Sequence, residues 1–204
     1  MNAKERATYW TKVERLRRGI ERKYEKEIAQ SINKQFKRFA NDVKRFGVDS
    51  ARSRLGLDLW ESEMVKIFER MYKETIVIFG NSTYRLLKIE ANQKADTFGF
   101  NREWTREIME FLANQGFVMV SDITKTTKDK LLSIVANGIE KGLDIDTIVK
   151  NILSDDSLSY SMFRARRIAR TEVMRASNIG AMQGARAHSF QVDKVWISAR
   201  DLRT

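Results

Sequence analysis

From Tyr9 to Phe46, apolar side chains return every third or fourth residue: Val13, Leu16, Ile20, Tyr24, Ile28, Ile32, Phe36, Phe39, Val43 and Phe46. That spacing predicts one long amphipathic helix with a single buried stripe. Gly47 is its expected stop, and Asp49 is placed to cap a short turn reaching Leu55. Gly19 is the weak point of the helix, because an interior glycine costs about 1 kcal/mol relative to alanine. A second long helix reads from Asp58, with Trp60, Met64, Ile67, Phe68, Met71, Thr75, Phe79, Leu86 and Ile89 on one face and Gly80-Asn81-Ser82 as a candidate interruption. Two such stripes with no sheet between them predict an antiparallel helical pair.

Beyond a polar loop at 96–101, helices are expected at 103–114 and 126–141, the latter closed by Gly142. Asp144 then caps a short helix carrying Ile145, Ile148, Val149 and Ile152, followed by a polar loop at 154–157. In the last helix, 159–188, the residues Met162, Ala165, Ala169, Val173, Ala176, Gly180 and Ala187 fall close to one line, so another helix or strand can approach closely. That line is expected to be internal packing, the alternative being an adhesive surface. Arg167, Thr171 and Asn178 form a polar seam on the opposite line. Glu172 falls inside the apolar arc, between Ile168, Ala176 and Ile179, and a carboxylate there must be paired. Arg175 and Arg203 are the candidate partners, and the pair is expected to be structural. Val192 to Ile197 alternates as a β-strand does. The fold class expected is therefore mainly α. A long antiparallel helical hairpin over 1–98 precedes a smaller helical domain over 99–204 that ends in a short β element, α+β at the C-terminus.

Composition narrows the chemistry. Among 204 residues there is no proline, no cysteine and one histidine, His188. A disulfide framework, a Cys nucleophile and a Cys/His zinc site are excluded, while a carboxylate-only metal site stays open. No glycine-rich phosphate loop, Ser/His pair or converging carboxylates are readable, so no catalytic residue, cofactor or metal is expected. The longest apolar runs, 75–79 and 117–120, are far shorter than a membrane span, and the first ten residues lack the apolar core of a signal peptide. The reading is a soluble protein made in a reducing cytoplasm, with no membrane partner.

Charge adds a candidate partner. Residues 1–60 carry a net charge of +8, residues 61–150 of −1 and residues 151–204 of +4. Such basic blocks attract polyanions through counterion release, which makes double-stranded DNA, bound without sequence preference, the first candidate; a solvated helix face is the bland alternative. The residues proposed to touch it are Arg17, Arg18, Arg22, Lys23, Lys34, Lys37, Arg38, Lys44 and Arg45. Trp10, Phe36, Phe39 and Phe46 lie mostly on the apolar stripe and are expected to be poor platforms for stacking bases.

The stretch Arg164-Ala165-Arg166-Arg167-Ile168-Ala169-Arg170-Thr171-Glu172-Val173, followed by Ala176, Asn178 and Gly180, then Lys194-Val195-Trp196 and Asp201-Leu202-Arg203-Thr204, resembles the phage Mu F-like, or minor head, proteins of tailed bacteriophages. The preceding Thr-rich helix, Gly142 turn and short helix fit the same pattern, so the resemblance covers roughly 117–204. It marks Arg167, Ile168, Ala169, Arg170, Thr171, Glu172, Asn178, Gly180, Trp196, Asp201, Arg203 and Thr204 as motif residues with structural or partner-binding roles. Members usually continue past the D-x-R-T element into an arginine, a histidine and a further strand; here the sequence stops at Thr204, so the expectation is either truncation there or a member that lacks the segment. The resemblance implies a non-enzymatic, low-copy virion protein inside the head near the portal vertex, present in the host cytoplasm during assembly. Its implied partners are the portal protein, with scaffold or major capsid protein as further candidates, and DNA. Two alternatives stand beside it. Domains of this family also occur joined to toxin catalytic domains, and the chain could be a generic basic helical nucleic-acid-binding module.

Overall fold

A computed structural model of the chain describes residues 3–55, 57–91, 106, 110, 111 and 117–188. Among these it holds five helices: α1 (Ala3–Ser53), α2 (Leu57–Glu90), α3 (Phe117–Glu140), α4 (Ile145–Ile152) and α5 (Asp155–Arg186). The molecule is mainly α, as the periodicity requires. Of the helix expected at 103–114, the described Arg106, Glu110 and Phe111 are helical. The expected β element, with Lys194, Trp196, Asp201, Arg203 and Thr204, lies outside the described residues, as does the whole of the expected loop at 96–101.

The long first helix does break at Gly47, whose φ of 77° and ψ of 169° belong to a region that essentially only glycine occupies. A short helical turn follows, anchored by the buried Ala51 and Leu55. Val13, Ile20, Tyr24, Ile28, Ile32, Phe36, Phe39 and Val43 are buried as the spacing demands. Phe46 is not: it stands 38% exposed at the end of the stripe, and Trp10 stands 41% exposed at its start. Spacing puts both on the apolar stripe, but near the ends of the long helix too little neighbouring chain remains to cover them.

Ion pairs fix the directions of the helices. Lys23 meets Glu74 at 2.5 Å, Glu27 meets Arg70, and Lys34 meets Glu63 at 2.7 Å, so every step forward on α1 is a step back on α2. The expected antiparallel pair is present. It is not closed on itself, because α5 packs more extensively against each of the two than they pack against each other. Arg17 reaches Ser177 and Glu25 reaches Arg166, which sets α5 antiparallel to α1. Tyr72 faces Glu172, Ile76 faces Gly180, and Gly80 faces Gly184, which sets α5 parallel to α2. One continuous core runs through α1, α2, α3, α4 and α5, drawing on residues from both sides of the expected 98/99 boundary.

Three local expectations need correcting. Gly80-Asn81-Ser82 does not interrupt α2, which runs unbroken through it; Gly80 serves instead as the flat spot against which Gly184 rests. The segment 154–157 is not a loop, since α5 already starts at Asp155 and only Leu153 and Ser154 separate it from α4. The helix expected from 126 begins at Phe117, because Thr124 and Thr127 return their hydroxyls to the carbonyls of Val120 and Ile123, both at 2.9 Å, and so satisfy themselves inside a helix. Two caps are as read: Gly142 has φ 65°, and Asp144 accepts the Thr147 N–H at 2.7 Å, which holds its carboxyl below the usual range.

Gly19 meets nothing within 4 Å of where a Cβ would stand. Gly19→Ala is therefore expected to stabilise the chain by about 0.5 to 1 kcal/mol, the helix-propensity difference with no packing cost. Denaturant unfolding of the two proteins measures it, and a lower midpoint in the variant would contradict the open surroundings of this residue.

Candidate nucleic-acid interface and the motif helix

The helix that carries the resemblance is the hub of the bundle. Its line of small residues, Ala165, Ala169, Val173 and Ala176, is fully buried, and Gly180 continues it against the α2 backbone. Met162 and Ala187, assigned to the same line, are exposed and half-buried, because they lie near the two ends of the contact. The flanking arginines each tie down a neighbour. Arg164 donates to Tyr160 Oη at 2.9 Å and to the carbonyl of Ile123 on α3 at 3.2 Å. Arg166 donates to Glu25 on α1 at 3.1 Å. Burial pushes the Glu21 carboxyl above the usual range, and the nearby charges of Arg170 and Arg17 pull against that shift.

Glu172 is buried and paired, and the partner within the described residues is Arg175, whose Nη1 lies 2.8 Å from Oε2. The same oxygen accepts a 2.6 Å bond from the hydroxyl of Tyr72 on α2. Burial, and then this bond to a carboxylate, push the Tyr72 hydroxyl well above its usual range, so it remains a donor. Arg175 also donates to the Met119 sulfur on α3. One carboxylate thus gathers α2, α5 and, through Arg175, α3. The other candidate partner, Arg203, lies outside the described residues. Ile168 is partly buried, whereas Arg167, Thr171 and Asn178 face outward, Arg167 lying 6.0 Å above the ring of the exposed Phe163.

The basic residues of α1 divide into two sets. Arg17 does not belong to the outer face. Its side chain is buried between the helices, donating to Ser177 Oγ at 3.3 Å through both Nε and Nη2 and pairing with Glu14 at 2.5 Å. The spacing placed Arg17 beside Arg18 because one residue is only about 100° of helix rotation, and the boundary of the stripe falls between them. Lys23 and Lys34 are exposed but engaged by Glu74 and Glu63. Burial acts to raise the Glu74 carboxyl, yet the bonds from Lys23 and Tyr24 hold it below the usual range. Arg18 is exposed and sits 3.8 Å from Glu14. Arg15, Arg22, Lys26, Lys37, Arg38, Lys44 and Arg45 are also exposed, as are Lys4, Lys12 and Arg52 towards the two ends of α1.

Two acids of α1 are engaged by other helices, while Glu14 stays on the basic side beside Arg18. Glu25 turns towards Arg166 and Glu27 towards Arg70, leaving the solvent side from Arg15 to Arg45 dominated by one sign of charge. At 1.5 Å per residue this stripe is about 45 Å long. Near its start, Trp10, Glu14, Arg15, Arg18, Gly19 and Arg22 line a shallow open groove, cut where glycine has no side chain.

No family model, curated protein or solved structure matches the chain.

Geometry therefore carries what can be said of the site. Among the described residues no three His, Cys, Asp or Glu side chains converge as metal ligands, and no helix is long and apolar enough to cross a membrane. Sequence reasoning missed four contributors. Tyr72 is not among the residues of the stripe expected on the second helix, and only its place opposite Glu172 reveals the bond. Gly184 belongs to the small line and is separable from the sequence by its spacing of four from Gly180. Arg52 and Arg54 follow the Gly47 break, and nothing in their spacing shows that Arg54 returns to the ring of Phe46.

Proposed function

We propose that this chain is a non-enzymatic minor head protein of a tailed phage that binds double-stranded DNA along the outer face of α1 and associates with the portal vertex. The observation that carries the DNA part is the charge on α1: a basic stripe about 45 Å long, in which Glu25 and Glu27 are taken up by arginines of other helices while Glu14 stays beside Arg18. The head-protein part rests on the resemblance over 164–180, whose residues supply the hub of the bundle. Arg167, Arg170, Thr171 and Asn178 are the motif residues on the surface, where they could meet a partner protein. The same stripe suits a generic nucleic-acid-binding module, and portal association separates the two readings.

Titrating a labelled duplex at several salt concentrations is the direct test. Binding is expected to be weak, indifferent to sequence and steeply salt-dependent, with a slope of roughly 0.9 per phosphate neutralised. Charge reversal at Arg18, Arg22, Lys37 and Arg38 should abolish it, while charge reversal at Lys23 and Lys34, already engaged by acids, should weaken it less. Affinity independent of salt would defeat the electrostatic account. Failure of the chain to enter procapsids would leave only the generic module.

A further inference from the structure

The stripe does not end in open solvent. At its last turn, Phe46 is exposed, and the guanidinium of Arg54 lies 3.9 Å from the centre of its ring. Arg45 lies 5.2 Å from the same centre. Arg54 arrives there because the chain turns at Gly47 through a glycine-only conformation and is then fastened by Ala51 and Leu55, both buried. Arg52 and Lys44 are exposed on the same short segment, with Asp49 as its one exposed acid. Among the described residues, no carboxylate pairs with Arg45, Arg52 or Arg54. Phe46 stands at the edge of the core, with its ring within reach of two guanidiniums. A guanidinium laid against a ring keeps its N–H groups free at the edge, where their fork matches two oxygens of one phosphate.

We infer that Arg45 and Arg54, held on Phe46 at the Gly47 turn, form a phosphate clamp that grips the backbone of duplex DNA at the end of the α1 stripe. The inference rests on the DNA-binding reading and adds to it a fixed contact point with geometry of its own. A plain electrostatic patch depends on the number of charges alone. A clamp depends also on their support, and the two differ in how they respond to substitutions that conserve charge.

The test uses the full chain and a short labelled duplex, titrated over a series of salt concentrations, with Phe46→Leu and Arg54→Lys compared against the unaltered protein. Both variants keep every charge and alter exposed side chains, so melting temperatures should be unchanged. Each is expected to weaken binding about 3- to 10-fold, the cost of ordering a released side chain, with the salt slope the same as before. Arg54→Ala should weaken binding further and lower the slope by roughly 0.9. Unaltered affinity in either Phe46→Leu or Arg54→Lys would overturn the clamp while leaving the stripe intact. Absence of salt-dependent binding by the unaltered protein would instead overturn the DNA reading, and the clamp with it.

Discussion

Gly184→Ala and Gly180→Ala are each expected to destabilise the protein by about 1 to 3 kcal/mol, the usual cost of overpacking a close contact. A Cβ at Gly184 would stand 2.2 Å from the Gly80 carbonyl oxygen and 3.0 Å from its carbon; at Gly180 it would stand 2.5 Å from the Ile76 oxygen and 2.9 Å from its Cα. All four neighbours are backbone atoms of α2, so no side chain can swing aside. The two helices must separate, and separation loosens Ala169, Val173 and Ala176 along the same seam. Alanine gains up to about 1 kcal/mol of helix propensity over glycine, which offsets part of this cost and no more. Gly19→Ala is the internal control, since the identical substitution on the same fold should act with the opposite sign where nothing is crowded. Thermal melts resolve the effects at roughly 2 to 4 °C per kcal/mol for a chain of this size. Gly184→Leu should abolish the cooperative melt altogether. A normal melt in that variant would show that the seam is not internal and would revive the adhesive reading of the small-residue line.

Removal of the Glu172 carboxylate should be the other severe change. Glu172→Ala leaves the hydroxyl proton of a fully buried Tyr72 without its acceptor and takes away the charged partner of Arg175. A wholly buried ion pair broken in this way costs about 3 to 5 kcal/mol. Here the Arg175 side chain is 41% exposed and can turn to water, so the expected loss is smaller, about 2 to 3 kcal/mol, most of it from the orphaned hydroxyl and the lost charge-assisted bonds. Adding Tyr72→Phe should return part of that loss, because the orphan is then gone. The coupling between the two sites should be about 1 kcal/mol or more in a double-mutant cycle. Equal denaturation midpoints for Glu172→Ala and the unaltered protein would show that the bond from Tyr72 contributes nothing to holding α2 against α5.

Which parts of this architecture could be read from residues alone follows from the range over which each signal acts. The helix of α1 and its break at Gly47, the cap at Asp144 and the turn at Gly142 are local, and spacing or conformational preference exposes them directly. The internal character of Ala165, Ala169 and Ala176 was legible too, since only a close neighbour explains a line of small side chains. Glu172 could be read as paired, and Arg175 as a candidate partner, because a turn of helix brings them together. Tyr72 could not, for it comes from a hundred residues away and nothing about a tyrosine in a helix names its partner. The pairing of α5 with α2 was hidden for the same reason. Arg17 failed differently: a guanidinium at the edge of a stripe reads as solvent-facing until Ser177 is known to lie across from it. The exposed Phe46 also required the turn that follows it, because periodicity continues past the point where neighbours run out.

The parallel run of α2 and α5, with α1 antiparallel to both, has a consequence for how the protein is made. The first two helices are complete once residue 90 has been synthesised, but the helix that fills the seam between them ends at residue 186. At about 5 to 20 residues per second, that interval lasts about 5 to 20 s. During it, the face of α2 around Ile76 and Gly80 lacks the α5 glycines that cover it in the folded chain. A nascent chain in that position is a natural client for a chaperone, and interrupted synthesis should yield aggregation-prone fragments rather than a stable hairpin.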